Sequence, residues 1–261
     1  MSLGGSRIAR NLWQEATRYV ARMRGRLSAL GRRLTGPAGS SEPPDREGVD
    51  WRNLELLLGF LLTEDSNCVD VGANEGRFLY HVTQRARRGR HIAWEPVPHL
   101  AARLREVFPM VEVHDAAVGD TPAGETSFVV VKDDPAYSGL VARDYPGDYE
   151  TEEIRVRVER LDDELPADFI PALIKIDVEG GELGVLRGAA ETILRHKPLI
   201  VFEHGPGASE YYGTTPEAIH DLVSGDFGMR IFDMDATGPL SREQLAELFR
   251  TGARWNYVAR V

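Results

Sequence analysis

The 261 residues suffice for one α/β domain of ordinary size with a short appendage. Hydrophobic residues make up 42% and charged residues 28%, a balance that builds a core under a wet surface, and no apolar run is long enough for a membrane-spanning helix. The one cysteine, Cys68, excludes an internal disulfide and a cysteine-based zinc cluster and fits a reducing cytoplasm, while a net charge of −10 argues against generic nucleic-acid binding.

The charge is unevenly spread. Residues 1–34 hold eight arginines against a single acid, Glu15, so the rest of the chain is more acidic than the net value implies. Ile8, Leu12, Ala16, Tyr19, Met23, Leu27, Leu30 and Leu34 recur at steps of three or four, which predicts a basic amphipathic helical arm over 1–34. Such an arm can pack on the domain or on a second subunit, or rest on an anionic membrane surface. Glycines and paired prolines then predict a flexible linker over 35–48, with the α/β domain at 49–261.

From Val49 helical and strand patterns alternate. Trp51 to Leu62 reads as a helix, Asn67 to Val71 as a buried strand, and about Gly76 to Arg87 as a helix. A strand at His91–Trp94, a helix at Pro98–Phe108 and a strand at Val111–Val118 follow. Residues 125–131 and 154–158 alternate with period two and can pair as an extra antiparallel element around a loop at Asp133–Tyr149. Ala172–Ile176 is a strand, followed by a helix through about Arg195 and a strand at Leu199–Phe202. A helix at 216–224, a strand at 229–233, a helix at 241–250 and a strand at 254–260 complete the order. This alternation predicts an α/β, doubly wound Rossmann-like architecture with a mostly parallel sheet. Ligands of such sheets lie beyond the carboxyl ends of the strands, where Asp70, Gly72, Glu95, Asp115, Asp177, Glu179, Glu203 and His204 all fall.

In Asp70-Val-Gly-Ala-Asn-Glu-Gly76, Gly72 permits a tight turn and Gly76 can open a helix whose amides favour a carboxylate. Asp70 can attract an ammonium or order the turn. The close glycine pair of a pyrophosphate site is missing, and so is a P-loop lysine, which favours a ligand without phosphate over NAD. Glu95 can accept hydrogen bonds from both hydroxyls of a ribose, Asp115 can reach an adenine amine, and Ala116 can offer a backbone N–H.

These segments, together with Trp94-Glu-Pro96, Ala117-Val-Gly-Asp120, Ile174-Lys-Ile-Asp-Val-Glu-Gly-Gly-Glu182, Leu186-Arg-Gly-Ala189 and Phe202-Glu-His204, resemble the FkbM family of S-adenosylmethionine-dependent methyltransferases. The match runs in order over roughly residues 65–260. The resemblance implies a class I methyltransferase sheet of seven strands with the last antiparallel, and O-methylation of a saccharide, glycolipid or polyketide-like natural product. It implies S-adenosylmethionine held by Asp70, Gly72, Asn74 and Glu95, with Asp115 and Asp177 near it. Trp94 stands where the family often has another aromatic such as Phe.

Methyl transfer to a hydroxyl gains from a general base or an acidifying metal. His204 is the leading base, with Asp177 and Glu179 beside it in the catalytic set. Asp177, Glu179, Glu203 and His204 could instead bind Mg²⁺ or Mn²⁺, although turn ordering and substrate positioning are favoured over a metal. The competing reading is a non-catalytic or nucleotide- and NAD-binding Rossmann-like protein.

Overall fold

The computed structural model describes residues 46–121, 124–145 and 147–261. The predicted arm at 1–34 and the linker up to residue 45 lie outside the described residues. The domain begins earlier than expected, because α1 spans Arg46–Leu61 and takes in the end of the predicted linker. Arg46 anchors that first turn by pairing with Asp50 one turn on and, at 2.6 Å, with Asp235 from the far end of the chain. No helix among the described residues is long and apolar enough to cross a membrane.

The elements then follow as β1 (Asn67–Val71), α2 (Arg77–Arg85), β2 (His91–Trp94), α3 (Pro98–Val107), β3 (Val111–His114), β4 (Ala116–Val118) and β5 (Gly124–Val131). After a loop come β6 (Thr151–Glu159), α4 (Leu161–Glu164), β7 (Pro171–Ile176), α5 (Glu182–Gly188), α6 (Ala190–His196) and β8 (Leu199–Glu203). The chain closes with α7 (Pro216–His220), β9 (Arg230–Asp233), α8 (Arg242–Thr251) and β10 (Asn256–Arg260). Local chemistry sets the boundaries. Pro98 starts α3, where its missing N–H costs nothing, and a Ser241–Gln244 capping box opens α8, which Gly252 closes in the left-handed conformation.

Seven strands form the main sheet in the order β3-β2-β1-β7-β8-β10-β9. Only β10 runs antiparallel, paired with β8 on one side and β9 on the other. The order reverses between β1 and β7, and there the crevice beyond the strand ends opens. Strands β1, β2 and β7 are almost wholly buried, as expected of a parallel sheet covered on both faces. The largest apolar cluster joins Val69, Val71, Ile92, Ile174, Ile176, Ile200 and Phe202 to Leu186 and Ile193. Behind the opposite face, Cys68, Phe78, Val82 and Leu173 pack with Leu54 and Leu58 of α1.

Two expected elements are divided. The segment Val111–Val118 breaks at Asp115, so β3 stays in the main sheet while β4 leaves it to pair in parallel with β6. The helix after residue 181 breaks at Ala189, whose backbone leaves the helical region. The expected antiparallel pairing of β5 with β6 holds, and with β4 it makes a second sheet in the order β4-β6-β5. That small sheet carries Ala117, Phe128, Val130 and Val156 onto Val97 and Leu100, beside the crevice.

Candidate active site

Beyond β1, β2 and β7 lies a cleft with an empty volume of about 690 Å³ that opens to solvent. One wall comes from the main sheet, with Gly72 and Asn74 after β1, Trp94 to Val97 at β2, and Asp177, Val178, Glu179 and Gly181 after β7. The other comes from the small sheet and its loop, with Ala116 to Val118, Phe128, Pro135, Ala136, Ser138 and Leu140.

Glu95 is the hinge of the first wall. It is buried, and its two oxygens accept separately, from Asn74 N–H at 2.7 Å and from Val97 N–H at 2.9 Å. One side chain thereby ties the turn after β1 to the entry of α3. Burial pushes its carboxyl up to about 7 against the lowering effect of those two amides. Asn74 itself sits at φ 46, a left-handed conformation that asparagine tolerates better than most residues. Gly72, at φ 79, lies so near β7 that a Cβ there would stand 1.8 Å from the carbonyl oxygen of Asp177.

Glu182 closes the second turn in the same way. Its Oε1 accepts from Val178 N–H at 3.2 Å and Gly180 N–H at 3.0 Å, and burial raises its carboxyl to about 7. Between the two turns runs a line of charge. Lys175 Nζ lies 3.4 Å from Asp70 Oδ1 and 3.1 Å from Asp177 Oδ2, and donates to the Gly72 carbonyl at 3.3 Å. Burial opposes ionisation of Asp177, but the Lys175 ammonium outweighs it and holds this carboxyl below its ordinary value. Glu203 is raised well above its ordinary value by burial and by the charges of Asp177 and Glu179, so it keeps its proton and donates to Asp177.

Glu179 faces the cleft at φ 57 and is gripped by Arg143 at 2.5 Å. Burial and the charge of Asp177 push its carboxyl up to about 8 despite that guanidinium. Arg143 lies between the rings of Tyr137 and Tyr145, 5.5 Å and 5.8 Å from their centroids. The loop at Asp133–Tyr149 is fastened further along, where Val141 N–H donates to the Tyr212 hydroxyl at 3.2 Å and Asp144 N–H to that of Tyr211 at 3.2 Å.

Of the residues predicted from sequence, Gly72, Asn74, Glu95, Ala116, Asp177 and Glu179 meet at the cleft. Asp70 does not line it. The side chain is fully buried beneath the turn, beside Lys175. Gly76 serves packing, since a Cβ there would meet Phe108 at 2.5 Å and Leu104 at 2.7 Å. Asp115 turns away and pairs with Arg157 at 3.0 Å and Arg105 at 3.4 Å, because the chain is leaving the main sheet at that point. His204 corrects the expectation of a histidine base. It is completely buried outside the cleft lining, shares a hydrogen bond between Nδ1 and the Ser209 hydroxyl (3.1 Å) and stacks on Phe249 at 4.7 Å. Burial lowers its pKa to about 4, so it stays neutral.

Sequence reasoning passed over Arg143 and the wall residues Phe128 and Leu140, and read Lys175 only as an edge or rim residue. A lysine inside Ile174-Lys-Ile176 was itself the signal, since a charge in a buried strand needs opposite charges beside it. Arg143 had none, because its partner is 36 positions away. Trp94 also gains a reason, for its indole N–H donates to buried Glu159 at 2.8 Å, which a phenylalanine could not do.

A family profile describing the methyltransferase FkbM domain matches residues 70–228, a span that contains every residue of this cleft. The chain belongs to the FkbM methyltransferase domain family. Among curated proteins it is similar to the AMB antimetabolite synthetase AmbE of Pseudomonas aeruginosa, 30% identical over 204 residues, which is 63% of this chain and 10% of that protein. It is 29% identical over 147 residues to Methyltransferase 1 of Beauveria bassiana, covering 48% of this chain and 59% of the other. The chain thus spans less than two thirds of either relative. A solved methyltransferase FkbM from Methylobacillus flagellatus KT aligns with 76% of this chain and 44% of its own, at 19% identity and a TM-score of 0.48.

The carboxyls of this FkbM domain make its stability depend on pH in a definite direction. Glu95 and Glu182 at about 7, and Glu179 at about 8, are all raised by burial, so the stability they contribute is full at low pH and lost as pH rises through those values. His204 acts oppositely, but only between its ordinary value and about 4. From pH 6.5 to pH 8 the carboxyls therefore act unopposed by it. Calorimetric Tm of the unliganded protein is expected to fall across that interval. A Tm that rises there would show that these groups are ionised without cost.

Proposed function

We propose that this protein transfers the methyl group of S-adenosylmethionine to a hydroxyl of a saccharide, glycolipid or polyketide-like natural product. The observation that carries the reading is Glu95 at the tip of β2, buried in the cleft wall with both oxygens fixed by backbone amides. Each oxygen keeps a second lone pair, which suits the two hydroxyls of a ribose. The turn beside it has no close glycine pair for a pyrophosphate, which disfavours NAD. The similarity to an antimetabolite synthetase supports a natural-product acceptor.

S-adenosylmethionine supplies an electrophilic methyl group carried on a sulfonium. Gly72, Asn74 and Glu95 would hold it against the main sheet, with Ala116 to Val118 offering an apolar bed for the base. Glu179 is the group suited to take the acceptor's proton, since it faces the cleft, is oriented by Arg143, and titrates near neutral pH. Asp177 and Glu203 share one proton behind it. No divalent ion enters this reading. Oxygens of Asp177, Glu179 and Glu203 approach within 4.8 Å of one another, but Lys175, Arg143 and the proton on Glu203 already offset their charge.

Titration calorimetry tests the first half. S-adenosylhomocysteine is expected to bind with a 1:1 signal and NAD to give none; the reverse pattern sinks the proposal. Tritium transfer from labelled S-adenosylmethionine into saccharide and polar-lipid acceptors tests the second. Transfer is expected to rise with pH through about 8 as Glu179 ionises, and Glu179→Gln to remove that rise.

A further inference from the structure

We propose that Lys175 is a positioning residue for the cofactor, a buried ammonium that ties β1 to β7 beneath the Gly72 turn and keeps the Asp70 carboxylate charged behind that turn. The proposal rests on the S-adenosylmethionine reading above. Parallel register sets Asp70 beside Lys175 on neighbouring strands, so both side chains leave the same face of the sheet. That face is otherwise apolar, for α2 packs Phe78 and Val82 there against Cys68 and Leu173. The charged groups of α2 lie elsewhere, Arg77 over the Trp51 ring and against Glu47, His81 against Glu55 and Arg85 against the His81 carbonyl.

A carboxylate with no exposed surface in such a place is expensive unless a cation meets it. Lys175 is that cation, and it reaches three acceptors at once, on Asp70, Gly72 and Asp177. The other groups whose charge bears on Asp70 are acids or neutral. Asp177 beyond β7 and Glu95 beyond β2 repel it, and Cys68 on β1 is neutral because burial pushes its thiol up to about 12. Asp70 itself is raised by burial to about 6 with Lys175 in place, so it remains largely ionised at neutral pH only because of that neighbour. Without the ammonium, burial and the two acids would act unopposed, and Asp70 would take up a proton in the physiological range.

A lysine that merely holds the strands together would, when lost, weaken ligand binding equally at every pH. A lysine that keeps Asp70 charged would shift the pH at which binding is gained. Calorimetric Kd values for S-adenosylhomocysteine, measured from pH 6 to pH 8.5 on wild type and Lys175→Met, separate the two. At pH 7 the variant is expected to bind about tenfold more weakly than wild type, with the gap closing to about twofold at pH 8.5. A gap that stays constant with pH overturns the proposal while leaving the methyltransferase reading intact, whereas wild type that fails to bind sinks that reading itself. Should Lys175→Met not fold, Asp70→Asn in the presence of Lys175 decides. The share of the acidic limb that Asp70 sets near pH 6 is expected to be lost in that variant while the share that Glu95 sets near pH 7 stays, and an unchanged limb overturns the proposal.

Discussion

Gly72→Ala is expected to destabilise the domain by about 3 kcal/mol or more and to abolish measurable S-adenosylhomocysteine binding. Two costs combine at this position. The backbone sits at φ 79, which an L-residue adopts only under strain, and the new Cβ would fall 1.8 Å from the Asp177 carbonyl oxygen and 2.9 Å from its carbon. Neither atom belongs to a side chain that can swing aside. Relief therefore requires the ends of β1 and β7 to part, at the expense of the 3.0 Å bond from Asp177 N–H to the Val71 carbonyl and of the Lys175 contacts beneath it. Gly213→Ala is the control, since Gly213 has a similar φ of 66 and nothing within 4 Å of its Cβ position. Denaturant melts should show the Gly213 variant losing only about 1 kcal/mol. Equal losses at the two sites would mean that the close approach of the strands carries no weight.

Glu95→Ala is expected to weaken S-adenosylhomocysteine binding by about 100-fold or more. The substitution removes the proposed ribose contact and also strands the amides of Asn74 and Val97, each at a cost of about 1–3 kcal/mol where water cannot replace the acceptor. The turn after β1 and the entry of α3 would then lose their common anchor. Glu95→Gln keeps one oxygen acceptor and should fall between alanine and wild type. Differential calorimetry on the unliganded variants separates a collapsed turn from a missing contact. A glutamine variant with wild-type affinity would show that the carboxylate is not what the ligand meets.

Much of this arrangement was legible because it rests on local pattern. Glycine at 72, an acid ending a short buried strand at 95, and Asp177-Val-Glu-Gly180 after an apolar run all mark the rim of a parallel sheet, and the main-sheet wall of the cleft follows from them. The alternation at 125–131 and 154–158 likewise announced the hairpin of the small sheet. What stayed hidden depends on contacts distant in sequence. A continuous β-prone run gave no hint that Asp115 would be the point where the chain changes sheets, because β4 leaves only to meet β6, some forty residues on. His204 looked catalytic by type and position, yet Phe249 and Ser209 enclose it, and neither could be placed against it before the fold was known.

The division of the cleft between two sheets has a consequence for how such a domain can diversify. The wall proposed to grip the cofactor is contributed by strands whose ends are locked to each other through Glu95, Lys175 and Glu182, so almost any change there disturbs several elements together. The facing wall is different. Phe128, Pro135, Ala136, Ser138 and Leu140 come from one strand and the loop that follows it, a single contiguous stretch hung between β5 and β6. Among the described residues, the side chains that fasten the loop outside the small sheet are Arg143 and the hydroxyl-bearing Tyr211 and Tyr212. On the proposed function, exchanging this one short cassette of chain is expected to change acceptor preference while leaving Gly72, Asn74 and Glu95 in place.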